Sequence, residues 1–254
     1  MKKRMMYVGS LLLGTLLMSF LIQQKDPIKV YLIGDSTMSV KEVEDYPETG
    51  WGMPFVYFFD ESVEVENHAK NGRSTKSFIA ENRWEPVLEN LQPDDYVFIQ
   101  FGHNDEVKSK VGRYTTPEEY SANLSRFVEE SRSKGAKPIL LTPVARRKFN
   151  EAGEVQGTHE QYSAIVRKVA SELQVPLIDM DKKSQSLLQE MGPEKSILLY
   201  MHLEPGEHPN YPEGVEDDTH FNELGARKMA QLVLAEIRNL DMDLADRIVK
   251  PEED

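Results

Sequence analysis

Five short apolar runs dictate what this chain can fold into: Ile28–Ile33, Val63–Asn67, Tyr96–Phe101, Pro138–Thr142 and Val175–Asp179. Each has the length of a strand. The first is β-branched and nearly free of polar residues, as in a strand buried on both faces of a parallel sheet. The second alternates apolar and polar, which suits a sheet edge. Helical patterns separate them. Thr116-Pro117-Glu118-Glu119 predicts a capped helix carrying Tyr120, Leu124, Phe127 and Val128. Thr158 to Gln161 repeats the capping pattern before Ile165, Val166, Val169 and Leu173. Asn222 predicts the start of a last helix with Ala226, Met229, Leu232, Val233 and Ile237. Other helices are expected near Pro54, from Phe78 to Leu91, and over 181–191. Strand and helix thus alternate, which implies an α/β fold: a three-layer α/β/α sandwich around a five-stranded parallel sheet with right-handed crossovers.

This core is expected over 26–240, ahead of an acidic tail at 241–254, either frayed or docked as a short helix. Residues 193–218, rich in Pro and Gly, read as a long irregular loop. At the other end Lys2, Lys3 and Arg4 precede an apolar run from Met5 to Ile22. That is the layout of a secretory signal. No Ala-x-Ala precedes Gln23, so an uncleaved signal anchor competes with a cleaved peptide over 1–25. Export to a periplasmic or extracellular location is expected on either reading, and a membrane contact only through such an anchor.

Composition removes several function classes. A net charge of −13 argues against a nucleic-acid partner. The absence of cysteine excludes a disulfide, a thiolate metal site, a Cys nucleophile and a lipoprotein anchor. His159-Glu160 lacks the second histidine of a zinc helix, so no metal or other cofactor is expected. Neither Gly-x-Ser-x-Gly nor a phosphate loop occurs.

The chemistry-bearing residues stand at strand ends, where open α/β sheets form their sites. Ser36 follows the first strand in Gly34-Asp35-Ser36-Thr37-Met38. A serine hydroxyl needs a base, an orienter for that base and donors for an oxyanion. Asn71-Gly72 follows the second strand, Gly102-His103-Asn104-Asp105 the third, and Asp217-Asp218-Thr219-His220 precedes the last helix. Alone, each has a bland reading as a turn or cap residue.

Together the four blocks resemble the SGNH (GDSL-type) hydrolase superfamily. They stand here as Gly34-Asp35-Ser36-Thr37-Met38, Asn67-x-Ala69-x-x-Gly72-Arg73-Ser74, Gly102-His103-Asn104-Asp105 and Asp217-x-x-His220-Phe221. Gly50-Trp51-Gly52 and Arg73-Ser74 make the chain most similar to the rhamnogalacturonan acetylesterase-like branch. The resemblance covers about residues 28–239. It implies a flavodoxin-like sheet order, Ser36 as nucleophile, His220 as base and then acid, and Asp217 as orienter. It also implies an oxyanion hole from the Ser36 and Gly72 N–H groups and the Asn104 amide. Asp218 competes with Asp217; residues three apart share a side in a helix-like turn, which favours Asp217. Asp35 and Asp105 are expected to anchor turns.

The resemblance implies a metal-independent, monomeric serine esterase acting on acetylated polysaccharide or oligosaccharide, with pectic rhamnogalacturonan the expected substrate. Acetylxylan and other carbohydrate esters, a lipase or thioesterase activity, and a non-catalytic carbohydrate-binding role are the alternatives. Trp51 could stack on a sugar face or lie in the core. Arg73, with Arg146-Arg147-Lys148, could meet uronate carboxylates or form a solvated basic face. His202 could line a cleft or stand solvated in its loop.

Overall fold

The computed structural model describes residues 27–250; the signal or anchor expected at 1–25 lies outside them. Strands β1 (Ile28–Gly34), β2 (Val63–Asn67), β3 (Tyr96–Gln100), β4 (Lys137–Leu141) and β5 (Leu177–Ile178) form one sheet in the order β2-β1-β3-β4-β5. All four pairings are parallel. This is the doubly wound, flavodoxin-like order expected from the alternation of elements and from the resemblance.

Side-chain alternation along the strands feeds two cores. Val30 and Leu32 of β1 and Tyr96 and Phe98 of β3 face one layer, with Ile139 and Leu141 of β4. Tyr31, Ile33, Val97, Ile99 and Leu140 face the other. On the first face pack α1 (Gly52–Phe55), α6 (Met180–Lys195) and α7 (Glu223–Asn239). On the second pack α2 (Thr75–Ala80), α3 (Trp84–Asn90), α4 (Pro117–Ser133) and α5 (Glu160–Glu172). Burial on both faces explains why β1 and β3 read as continuous apolar runs.

The caps are mostly as expected. Thr116 accepts from the Glu119 N–H, and Glu119 returns the bond, so the box at α4 is complete. Asn222 accepts from the Gly225 N–H at the start of α7. Thr158 does not cap α5. Its hydroxyl accepts the Arg146 N–H at 3.0 Å, and His159 occupies the cap position. The single helical pattern expected from Phe78 to Leu91 is two helices, parted where Asn82 adopts a left-handed φ of 56°.

The long loop expected over 193–218 is largely ordered structure. A 3-10 turn over 196–199 leads into β6 (Tyr200–Leu203), which pairs antiparallel with β7 (Val215–Phe221). Apart from Pro193, which lies in α6, proline and glycine fall in the connection between these strands. Part of the tail docks: a 3-10 turn over 243–247 buries Leu244, and Ile248 bridges to Phe59. Among the described residues no helix is long and apolar enough to cross a membrane.

Candidate active site

Ser36 sits in a tight turn at the carboxyl end of β1. The Met38 and Ser39 N–H groups donate to the Asp35 carbonyl. The Asp35 carboxylate accepts the Thr37 N–H at 3.0 Å and the Thr37 hydroxyl at 2.8 Å, and faces His103 Nδ1 at 3.2 Å. Burial works to raise this carboxyl, but His103 and Thr37 hold it down at about 2. Asp35 therefore anchors the turn and points away from the chemistry. The Gly50-Trp51-Gly52 segment packs against the same turn. Trp51 N–H donates to the Thr37 carbonyl at 2.9 Å, and a Cβ on Gly50 would lie 2.0 Å from the Ser39 carbonyl oxygen.

His220 reaches Ser36 through an irregularity in the small hairpin. Tyr200 pairs with Phe221, but the next residue, Met201, pairs with Asp217. Asp218, Thr219 and His220 are thus looped out of the ladder as a bulge, which re-aims a side chain. The Asp217 carboxylate fastens the bulge by accepting the Thr219 N–H at 2.6 Å and the His220 N–H at 3.0 Å. Its other oxygen lies 2.7 Å from His220 Nδ1, and His220 Nε2 lies 2.9 Å from Ser36 Oγ. The Asp217 contact fixes the tautomer, with Nδ1–H donating and Nε2 free to accept the serine proton. Burial opposes ionisation of Asp217, but the bonds from His220 and Thr219 hold its carboxyl down at about 2. Asp217 is thus the partner of His220, by an Asx-type turn in a strand bulge and not the helix-like turn expected from spacing. Asp218 faces elsewhere, to Arg147 Nη1 at 3.0 Å and His202 Nε2 at 2.8 Å.

Three N–H donors stand on the loops that follow β1, β2 and β3. Among the described residues the Ser36 and Gly72 N–H groups have no acceptor. Asn104 Nδ2 gives one hydrogen to the Arg73 carbonyl at 3.1 Å, which leaves its second N–H. Gly72 has φ 75°, in the left-handed region that disfavours a side chain. The Asn104 loop is held by Asp105, which is fully buried and accepts from Thr75 N–H and Oγ1 and from Thr115 Oγ1. A hydroxyl placed 2.9 Å from an oriented imidazole, beside unpaired N–H groups, can attack an acyl carbonyl and have the resulting oxyanion held.

The other sequence candidates fare differently. Trp51 is no sugar platform: its ring is fully buried, and Nε1 donates to Gln100 Oε1 at 2.7 Å. Arg73 folds back on its own segment, donating to Glu81 at 3.0 Å and the Asn71 carbonyl at 2.8 Å. Arg146 pairs with Glu106 at 2.8 Å, beside a cavity of 420 Å³ that Lys108 and His159 also line. His202 belongs to β6 and is engaged by Asp218. Two residues near the serine carried no sequence signal. Lys41 reaches the Ser36 carbonyl with its buried ammonium. Arg113 lies over Gly72, with Nη1 2.9 Å from where a Cβ would stand.

Comparison with known proteins shows the family and the fold. The model of the GDSL-like Lipase/Acylhydrolase family matches residues 32–228. Rhamnogalacturonan acetylesterase RhgT of Bacillus subtilis is 42% identical over 228 residues, covering 90% of this chain and 97% of that protein. Among solved structures, YxiM of Bacillus subtilis superposes with a TM-score of 0.74 at 25% identity, covering 85% of this chain and 58% of that one. Axe2, an acetylxylan esterase from Geobacillus stearothermophilus, shares the fold, with a TM-score of 0.60 at 22% identity over 84% of this chain and 94% of its own. The family match takes in Ser36, Gly72, Asn104, Asp217 and His220 and spans most of the chain, which therefore belongs to the GDSL-like lipase/acylhydrolase family.

Proposed function

We propose that this chain is a serine esterase that removes acetyl groups from acetylated rhamnogalacturonan. The observation that carries the reading is the relay from Asp217 through His220 to Ser36, with contacts of 2.7 and 2.9 Å. Ser36 Oγ attacks the acetyl carbonyl carbon while His220 Nε2 takes the hydroxyl proton. The oxyanion is held by the Ser36 and Gly72 N–H groups and by Asn104 Nδ2; one such donor is typically worth about 2.7–4 kcal/mol of barrier. As the tetrahedral species collapses, the imidazolium returns the proton to the departing sugar oxygen, leaving an acetylated Ser36. Water then attacks that ester with His220 again as base, and acetate leaves. Asp217 keeps the imidazole in the productive tautomer and stabilises its charged form.

The identity to RhgT supports rhamnogalacturonan as substrate. The net charge of −13 works against any acidic polymer, so neutral acetylated xylan is the comparison that matters. Export is part of the reading, supported by Lys2-Lys3-Arg4 and the apolar run behind them. In the test, acetate release by the purified full chain is measured on acetylated rhamnogalacturonan, acetylated xylan and aryl esters of increasing acyl length. Ser36→Ala should lose about 10⁴-fold or more in kcat, as removal of a triad nucleophile does elsewhere. Retained turnover in that variant, or a preference for long acyl chains, would sink the reading. Activity confined to the cytosol of the producing cells would sink the export part.

A further inference from the structure

We propose that Arg113 reads a carboxylate on the sugar that carries the scissile acetyl group. This rests on the esterase reading above and assigns its specificity for acidic substrate. The guanidinium lies against Gly72, with Nη1, Cζ and Nη2 at 2.9, 3.2 and 3.3 Å from the position a Cβ would take. Three nearly equal distances mean that the flat face of the group covers the glycine. Its N–H bonds lie in the plane of that face and so are not spent on Gly72. Among the described residues the guanidinium has no carboxylate or carbonyl acceptor, although the side chain is only partly exposed. That is unusual company for an arginine here. The sequence has 43 acidic residues against 30 basic ones, and Arg73, Arg146 and Arg147 near the site are all paired.

An always-charged planar fork beside an oxyanion glycine, with its edge unspent, is built to take a planar anion in two parallel hydrogen bonds. The acyl carbon must sit within reach of the Gly72 N–H, so a group met by Arg113 belongs to the same sugar or its immediate neighbour. A uronate fits: it carries the carboxylate on the ring whose hydroxyls bear the acetyl. Gly72 then has a second reason to lack a Cβ, because the guanidinium occupies that space. Such a contact also answers how an acidic protein holds an acidic polymer, since the attraction is local to one cation.

The test compares the full chain with Arg113→Gln and Arg113→Lys on four probes: acetylated rhamnogalacturonan oligomers, the same oligomers methyl-esterified at their carboxylates, acetylated xylan and an aryl acetate. Arg113→Gln should raise KM for the acidic oligomers by about tenfold, the scale of one charge-assisted hydrogen bond. It should leave the methyl esters and the aryl acetate within about twofold, with an unchanged melting temperature. Arg113→Lys should fall between, because it keeps the charge and loses the fork. The wild-type KM for acidic oligomers should rise with salt, and that of Arg113→Gln should not. An unchanged KM for acidic oligomers in Arg113→Gln overturns the proposal. So does an equal loss on the aryl acetate, which would place the cation at the oxyanion or in the fold. Wild-type turnover of the aryl acetate and acetylated xylan with none on acidic oligomers would overturn the substrate reading itself, and this assignment with it.

Discussion

Replacing Lys41 by methionine should separate what holds the serine turn together from what merely stabilises the protein. The Lys41 side chain is 2% exposed, and its ammonium donates to the Ser36 carbonyl at 2.6 Å and to Asn71 Oδ1 at 2.7 Å. Glu48 Oε1 stands 2.6 Å away, an ion pair whose geometry falls short of a well-aimed hydrogen bond. Burial pushes the Lys41 pKa down and Glu48 pushes it up. One cation thus ties the Ser36 turn to the residue before Gly72. Removing it leaves the Ser36 carbonyl and Asn71 Oδ1 to share the one proton of the Ser39 hydroxyl, at 3.3 and 2.6 Å, and leaves the Glu48 carboxylate uncompensated. Breaking a buried pair on one side costs about 3–5 kcal/mol, and the partial exposure of Glu48 favours the lower figure, about 3. In Lys41→Met/Glu48→Gln the orphaned charge is gone, so stability should return to within about 1 kcal/mol of wild type. The Lys41 bridge between the two loops is missing from both variants, and only the Ser39 hydroxyl bond to Asn71 still joins them. Both should therefore lose about 10- to 100-fold in kcat on an aryl acetate, as misplaced reacting groups do, with KM little changed. Urea unfolding at neutral pH and steady-state kinetics at a temperature where all three proteins are folded provide the measurements. A single variant that loses less than about 1 kcal/mol would refute the buried-charge argument. A double variant that regains stability and kcat together would refute the positioning argument.

Two further outcomes follow from buried polar groups. Burial pushes the Asp105 carboxyl up to about 7, against its Thr75 and Thr115 donors, so in the folded state it holds a proton that an unfolded Asp loses near 3.8. Stability should then fall as pH rises through that window and level off above it, by about 4 kcal/mol in all at 1.36 per unit. Asp105→Asn should flatten the slope, read as the difference between wild-type and variant unfolding free energies from pH 4.5 to 8; parallel curves would refute it. Trp51→Phe should cost about 1–3 kcal/mol, because Gln100 Oε1 loses its indole donor. KM for polysaccharide should not change, and a rise would restore Trp51 as a sugar contact.

The layered sheet was legible because burial on both faces leaves an unbroken apolar record in β1 and β3, and the caps of α4 and α7 are local chemistry. The segment holding β6 and β7 carries no strand signal for the opposite reason. Its strands are half-exposed and polar, with Val-Glu-Asp-Asp-Thr-His-Phe in β7, and pairing between them, not composition, makes them strands. The serine, glycine, asparagine and histidine stood out as short blocks at strand ends. Arg113 and Lys41 did not, since the fold alone brings Arg113 over Gly72 and Lys41 to Asn71, and charged residues in polar loops look alike in sequence. Arg73 shows the converse: adjacency to Gly72 in the chain suggested a ligand contact, whereas the fold turns it onto Glu81.

The aspartates around the site show how placement decides chemistry where sequence offers identical groups. Asp35 and Asp105 are both fully buried and both follow a sheet strand by a few residues. Burial is the largest influence on Asp35, but the attraction and hydrogen bond of His103 together with the Thr37 donors outweigh it. Asp105 meets only neutral hydroxyl and N–H donors, and the nearby Asp35 charge adds to the penalty, so its carboxyl moves the other way. Asp217, half-buried beside His220, keeps its charge where an imidazolium would form, and Asp218 spends its charge on Arg147. One anion is thereby left facing the base. A carboxylate moved from Asp217 to the next position would meet a guanidinium and lose the histidine. A one-residue shift in the β7 bulge is therefore as damaging to the relay as deletion of the acid.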